Sequence, residues 1–463
     1  MSFFKDCDIR GKTGEDPDRL NKENGFKLGR ALGTIINADS YRYSKSIVVG
    51  GDIRLSTPSL KANLIDGLLR SGVEVIDIGT CSTPYFYYVV EKICCDNGIM
   101  VTASHNPKGF NGFKFVLGPL PVLKEDIERI KEVYGSEDFI DKKGQLDHID
   151  LKSKYIKYVK GFFDFKYQGK VIVDFSNGTN SFYFGQIAGE YINNIEYLNQ
   201  EPDGNFPGHV PNPAISENLI QISQKIRESG SDIGIAFDSD GDRVIFLDSN
   251  GNMVNNDKML IIIASNLLKN QRKFTVEKVI NETKSSVIIR EAMKKVKPET
   301  ISEKTGHTYI KRRVITEDAI CGGEITGHYF YRFLNGRDDG IITALMILDI
   351  LEKEGKSIKE IADGIPSYYI TEDIRIPFED KKRNEIFSYV LEDIKSKGSK
   401  VDLTDGIKIF TPDNSWALLR ISISEPLLSL RFEVKDKDKL SELIDYFLES
   451  VPELKARVLE KIY

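Results

Sequence analysis

Cysteine is scarce. The 463 residues hold five, Cys7, Cys81, Cys94, Cys95 and Cys321, with no C-x-x-C pair. That excludes a zinc ribbon and a dithiol redox motif, and it fits buried thiols in a reducing compartment. Histidine is equally rare, and no H-E-x-x-H occurs. There is no G-x-G and no G-x-x-x-x-G-K-[ST], since Gly11-Lys12-Thr13 lacks the upstream glycine. The commonest dinucleotide, P-loop and metalloprotease readings lose their support. Charge of one sign is also missing: 64 basic against 70 acidic residues give a net charge of −6, a poor basis for nucleic-acid binding. The longest apolar runs, near Met259–Ala264 and Ile341–Leu348, fall far short of the roughly 20 residues of a membrane span. The first residues carry Lys5, Asp6 and Asp8 in place of a secretory apolar core. A soluble cytoplasmic protein is expected.

Hydrophobic residues make up 40% and charged residues 29%, ordinary globular usage with ample length for several cores. At about 150 residues per domain, three or four domains are expected. Lys45–Asp52 (KSIVVGGD) is a Val/Ile run ending in glycine, Lys170–Gly178 (KVIVDFSNG) repeats it, and Glu277–Lys284 (EKVINETK) is a looser copy. Each reads as a buried parallel strand followed by helix-compatible sequence. Helical periods are found over Thr57–Ser71, Asn256–Lys269, Ser285–Lys295 and Asp338–Lys353. After Pro366 the strand-like runs Ile407–Phe410, Trp416–Ile421 and Leu428–Val434 precede an amphipathic helix, Lys439–Leu448. The expected architecture is three related α/β domains with mixed sheets, over 1–149, 150–250 and 251–365, and a smaller α+β domain over 366–463.

Two loops carry the chemistry. Residues 232–248, DIGIAFDSDGDRVIFLD, place Asp238, Asp240 and Asp242 between two apolar strands. Read as an extended segment, alternate carboxylates point to one side, where they repel one another unless a cation intervenes. An all-oxygen set suits a hard ion such as Mg²⁺. An EF-hand is excluded, because its sixth position is Arg243 and its twelfth Ser249. The competing bland reading is an acidic surface turn. The second loop is GIMVTASHNPKGFNGFK, residues 98–114. Ser104 sits just past a probable strand, Gly98–Ala103, where α/β sheets present ligand sites. It is not a hydrolase elbow, because positions 102 and 106 are Thr and Asn. A hydroxyl so placed can carry a phosphoryl group if cations neutralise it.

The stretch Thr102-Ala103-Ser104-His105-Asn106-Pro107, continuing to Asn111-Gly112-Phe113-Lys114, resembles the active-site loop of the α-D-phosphohexomutases. Asp238–Arg243 is similar to that family's magnesium loop. The resemblance runs over nearly the whole chain and is closest to the bacterial phosphomannomutase/phosphoglucomutase branch. Cys7–Gly11 looks like Y-D-I-R-G, Lys304–His307 resembles K-T-G-H, and Gly323–His328 looks like the sugar loop G-E-x-S-G-H with Thr326 for serine. Arg420–Pro426 resembles the phosphate loop R-x-S-[GN]-T-[ET]-P, with Ile423 and Ser424 as departures. Gly51 stands where the family commonly has arginine.

The resemblance implies four domains arranged around a central cleft, and a phosphoenzyme that interconverts hexose 1- and 6-phosphates, of mannose and/or glucose, through a 1,6-bisphosphate. It implies a catalytic set of Ser104, Arg10, His105, Lys114, Arg243, His307 and His328. Substrate would be held by Lys284, Glu324, Thr326, His328, Arg420, Ser422, Ser424 and Arg431. One Mg²⁺ per chain would be held by Ser104, Asp238, Asp240 and Asp242. Lys114, His307 and His328 stay open as proton-transfer candidates. Partners are expected to be small sugar phosphates, with no nucleic acid and no membrane, and the protein a monomer or weak dimer. The alternatives are a phosphoglucosamine mutase or a sugar-phosphate-binding protein without turnover.

Overall fold

The computed structural model describes residues 3–16, 18–39, 44–269, 277–296, 298–422 and 426–462. These build four sheets in four domains. The first sheet has six strands, in the order Ile9–Lys12, Phe110–Leu117, Asn97–Val101, Ser46–Gly51, Glu74–Thr80 and Gln145–His148. Ser46–Gly51 runs parallel to both its neighbours, as its unbroken Val/Ile run requires. Phe110–Leu117 is antiparallel to Asn97–Val101, in a hairpin whose connection carries Ser104. Gly112 and Lys114 therefore lie within a strand, not in the loop expected to close there. Arg10 is paired with Gly112 on the edge strand.

The second sheet, ordered Val244–Leu247, Ile233–Phe237, Tyr167–Asp174 and Ile192–Leu198, ends in an antiparallel hairpin whose turn is the aspartate loop. The third, Glu299–Glu303, Lys278–Glu282, Cys321–Gly323, Tyr329–Tyr331 and Arg337–Asp338, is parallel on one side and antiparallel on the other. The fourth is antiparallel throughout and holds Ile407–Phe410, Trp416–Ile421 and Leu427–Val434. The helix Asn256–Lys269 forms as its period predicts, whereas the helix expected from Ser285 starts at Ile288. Gly340–Glu354 is apolar almost all round and correspondingly buried, capped by Asp339 and stopped by Gly355 at φ +62°. No helix among the described residues is long and apolar enough to cross a membrane.

One apolar cluster runs without interruption through the first three domains, from Val48 to Ala362, while the fourth has a cluster of its own. The third and fourth are joined by a small apolar contact, Val287 against Trp416 and Leu418, and by polar ones. Arg431 donates to the Lys284 carbonyl oxygen (2.8 Å), Lys408 to that of Thr283 (2.5 Å), and the Val287 amide to Glu433 (3.0 Å).

Candidate active site

The aspartate loop is a tight turn, not the extended segment expected from its sequence. The strands end at Phe237 and resume at Val244, and Gly241 reverses the chain at φ +79°. A Cβ there would lie 2.2 Å from Asn180 Oδ1, so glycine is needed for space as well as for backbone angle. The turn still gathers the three carboxylates, each with an oxygen within 4.8 Å of the others. All three are buried.

Across the domain boundary, Ser104 Oγ donates to Asp238 Oδ2 at 2.6 Å. Ser104 is 1% exposed and sits at φ +48°, a strained left-handed conformation for a non-glycine residue. His105 Nδ1 is 3.3 Å from its hydroxyl. Lys114, projecting from its strand, donates to Asp240 Oδ2 (2.7 Å) and Asp242 Oδ2 (2.5 Å). Burial alone would strip Lys114 of its proton, but the two aspartates outweigh it and hold the pKa well above that of a free lysine. Burial, together with repulsion from Asp240 and Asp242, pushes the Asp238 carboxyl well up.

Asp240 and Asp242, both paired with Lys114, and Asp238 beside Arg243 bring three buried acidic groups together. Asp240 Oδ1 and Asp242 Oδ1 are buried and accept no hydrogen bond, a costly condition for carboxylate oxygens. The donor set is all oxygen and suits a hard divalent cation. These residues fit a metal ion.

Arg243 pairs backbone to backbone with His328 of the sugar loop, and the Val244 amide donates to the Gly327 carbonyl oxygen (3.0 Å). The metal loop and the sugar loop are thereby joined edge to edge. Arg243 Nε donates to His328 Nε2 (2.9 Å), which assigns the His328 proton to Nδ1, facing Asp338 Oδ2 at 2.9 Å. Lys311 holds the other Asp338 oxygen at 3.3 Å. Asp242, His328 and Asp338 are also close enough to share an ion, but both ring nitrogens of His328 are already engaged. The His307 ring stacks on His328 with centroids 5.9 Å apart. Burial, then the charges of Lys114 and Lys311, depress the His307 pKa well below 6.5. Arg10 donates to Asn106 Oδ1 in the serine loop (3.0 Å) and to Asp8 (2.7 Å).

The expected substrate groups lie on the third and fourth domains. Glu324 Oε1 accepts from the Gly306 amide (3.0 Å), which ties the sugar loop to the K-T-G-H turn, and Thr326 is half-buried beside it. Lys284 pairs with Asp373 (2.8 Å), and Arg420 with Asp405 through two nitrogens (2.7 and 3.0 Å). Arg431 directs its guanidinium to the carbonyl oxygens of Thr371 and Lys284, so here it is a strut between domains. Ser422 begins the fourth-domain loop, and Ile423 and Ser424 lie outside the described residues. Gly51 has a local explanation: a Cβ there would stand 2.5 Å from Thr57 Cγ2, so Thr57 occupies the space a side chain would need.

Sequence reasoning passed over Glu282, Asp338, Lys311 and Asp405, which act through neighbours distant in the chain. The buried Glu282 accepts from the Ile325 amide (2.6 Å), and burial with repulsion from Glu324 raises its carboxyl pKa. The signal for Asp338 was present, an Asp-Asp pair opening an apolar helix, but it reads first as a cap.

Comparison with known proteins gives the same picture. Family models described as phosphoglucomutase/phosphomannomutase alpha/beta/alpha domains I, II and III match residues 1–141, 153–251 and 255–369. A phosphomannomutase/phosphoglucomutase of Pseudomonas syringae is 32% identical, over 96% of this chain and 94% of that protein. A phosphoglucomutase/phosphomannomutase of Thermococcus kodakarensis is 32% identical, over 96% and 97%. The crystal structure of a phosphoglucomutase/phosphomannomutase family protein from Burkholderia thailandensis superposes with a TM-score of 0.88 at 29% identity, covering 98% of this chain and 97% of that one. With the three matched domains in order along the chain and the serine and aspartate loops meeting between the first two, this chain belongs to the phosphoglucomutase/phosphomannomutase family.

Proposed function

We propose that this phosphohexomutase interconverts hexose 1-phosphates and hexose 6-phosphates, of mannose and/or glucose, with Ser104 as the phosphoryl carrier. The observation that carries the assignment is the 2.6 Å contact between Ser104 Oγ and Asp238 Oδ2. It puts the buried hydroxyl of the serine loop against the only trio of aspartates gathered among the described residues.

In the forward half-reaction the bond between phosphorus and Ser104 Oγ breaks, and a bond from phosphorus to the sugar O6 forms. The O6 proton leaves to a base, and Ser104 Oγ, departing with the electron pair of its bond to phosphorus, takes up a proton to become the free hydroxyl. His307 is the best placed of the three candidates: its imidazole is held neutral, whereas Lys114 is held protonated and both nitrogens of His328 are engaged. The resulting 1,6-bisphosphate turns end for end and returns its other phosphoryl group to Ser104. Asp238, Asp240 and Asp242 would hold one Mg²⁺, which supplies the charge that lets a phosphorylated Ser104 sit among carboxylates. Lys114, Arg243 and Arg10 supply fixed positive charge around the transferring group. Glu324 and Thr326 would bind sugar hydroxyls shared by both orientations, and Lys284, Arg420 and the fourth-domain loop the phosphate that stays behind.

The test is incorporation of labelled phosphate from a hexose 1,6-bisphosphate. The wild-type chain should take up one phosphate and Ser104→Ala none, with turnover of mannose and glucose 1-phosphates lost together. Stoichiometric labelling of Ser104→Ala would reject Ser104 as the carrier. A wild-type preference for glucosamine 1-phosphate in the same panel would move the assignment to that branch.

A further inference from the structure

Arg54 lies beside the serine loop, yet it is 2% exposed. Its four terminal N–H groups meet four main-chain carbonyl oxygens. Nη2 donates to Ser104 (2.5 Å) and Asn106 (2.6 Å), and Nη1 to Pro107 (2.9 Å) and Phe110 (3.1 Å). Nε lies 3.2 Å from Asp52 Oδ2. No terminal donor is left for an anion. A planar guanidinium can span four carbonyls of one loop, whereas an ammonium with three donors cannot.

Asp52 reaches the same serine from the other side. It accepts from Thr102 Oγ1 (2.7 Å), and that hydroxyl in turn accepts from the Ser104 amide (2.9 Å). Both main-chain polar groups of Ser104 are therefore fixed by one ion pair, directly at the carbonyl and through Thr102 at the amide. Ser239, inside the aspartate loop, adds a second donor to the Ser104 carbonyl (2.6 Å). A left-handed serine persists only where its surroundings over-determine it, and these are the surroundings.

The second domain closes over the guanidinium. Phe206 stacks on Arg54 with its ring centroid 4.9 Å away, and Gly204 passes so close that a Cβ would lie 2.5 Å from the Ile53 carbonyl oxygen. The clamp is thus built from both domains that supply the reacting groups.

We infer that Asp52 and Arg54 are positioning residues which set the strained backbone of Ser104 and so aim its oxygen at the aspartate trio, with Thr102 as the link. Neither touches substrate. The inference rests on Ser104 being the carrier. It predicts a loss in the transfer step with little change in substrate binding, because the reacting oxygen moves while the phosphate and sugar contacts stay.

The experiment measures kcat, KM for glucose 1-phosphate and the rate of labelling from glucose 1,6-bisphosphate. Arg54→Lys should lower kcat and the labelling rate together by about 10²-fold, with KM within about threefold of wild type. Thr102→Val, which keeps shape and removes only the link, should lower kcat by about tenfold, and Thr102→Ser should restore it. This pair carries the test if Arg54→Lys fails to fold. A raised KM with kcat retained in Arg54→Lys would make Arg54 a phosphate ligand and overturn the inference. So would a folded Thr102→Val enzyme with wild-type kcat. A wild-type chain that neither labels nor turns over would instead remove the mutase reading, and this inference with it.

Discussion

At the scale of single residues the site is ordered by hydrogen bonds whose direction can be assigned. His328 accepts from Arg243 and faces Asp338 with its other nitrogen, so Asp338 selects the ring tautomer and the tautomer fixes the guanidinium. Burial works to protonate the Asp338 carboxyl, but the charge of Lys311 and the hydrogen bond from His328 together outweigh it and lower its pKa. Asp338→Asn removes the carboxylate charge and presents an amide N–H that can turn toward Nδ1. The ring then loses its preference for the tautomer that Arg243 requires. We expect kcat to fall by about 10- to 100-fold with the fold intact. Steady-state kinetics beside a thermal melt will check it, and wild-type kcat in Asp338→Asn would show that Arg243 is oriented by other contacts. None of this is legible from sequence, because His328 and Arg243 stand 85 positions apart.

At the scale of elements, the turn geometry matters more than the strands that frame it. Gly241→Ala puts a Cβ against Asn180 at a backbone angle that L-residues avoid. It should destabilise the protein by about 1–3 kcal/mol and weaken divalent-cation binding. A urea titration and a Mg²⁺ titration of activity test the two halves, and an unchanged metal requirement would mean that the carboxylates converge without the turn.

The strands themselves were readable. Runs such as Ile47–Val49 and Val171–Val173 are bounded by glycine or polar residues and are fully buried, so an unbroken apolar signal and burial on both faces coincide. The aspartate turn was misread as extended because alternation of residue type says nothing about φ at Gly241. Ser104 and the trio were found by motif, but their 2.6 Å contact spans 134 positions and needed the fold.

The loop that carries Phe206 shows a titratable element. His209 donates from Nε2 toward Asp174 Oδ2 at 2.9 Å. Burial works to remove its proton, but the hydrogen bond and the charge of Asp174 prevail and raise its pKa. A group with a raised folded pKa contributes stability that is fully present below its unfolded value, about 6.5, and is lost as pH rises through the folded one. Relative to His209→Gln, the wild type should therefore lose urea stability as pH rises from about 6.5 upward. A constant difference across that range would show that the pair does not titrate as the geometry implies.

At the scale of the whole molecule, the division of the apolar core decides what can move. The first three domains share one cluster and should behave as a single body, while the fourth keeps its own core and meets the third through polar contacts and one small apolar cluster. Asp405 sits at that seam. It binds Arg420 bidentately within the fourth domain, and it accepts from the Thr305 amide (2.9 Å) and Thr283 Oγ1 (3.2 Å) of the third. One carboxylate therefore bridges the seam and covers the cation proposed to take the phosphate. A phosphate reaching Arg420 must displace it, since the guanidinium fork matches either anion. Asp405→Asn keeps an acceptor for Thr305 but gives up the charge that competes for Arg420. KM for glucose 1-phosphate should fall by about three- to tenfold with kcat no higher. A higher KM in that variant would mean that Asp405 stays on Arg420 when the phosphate binds, and that the two domains close around it as one unit.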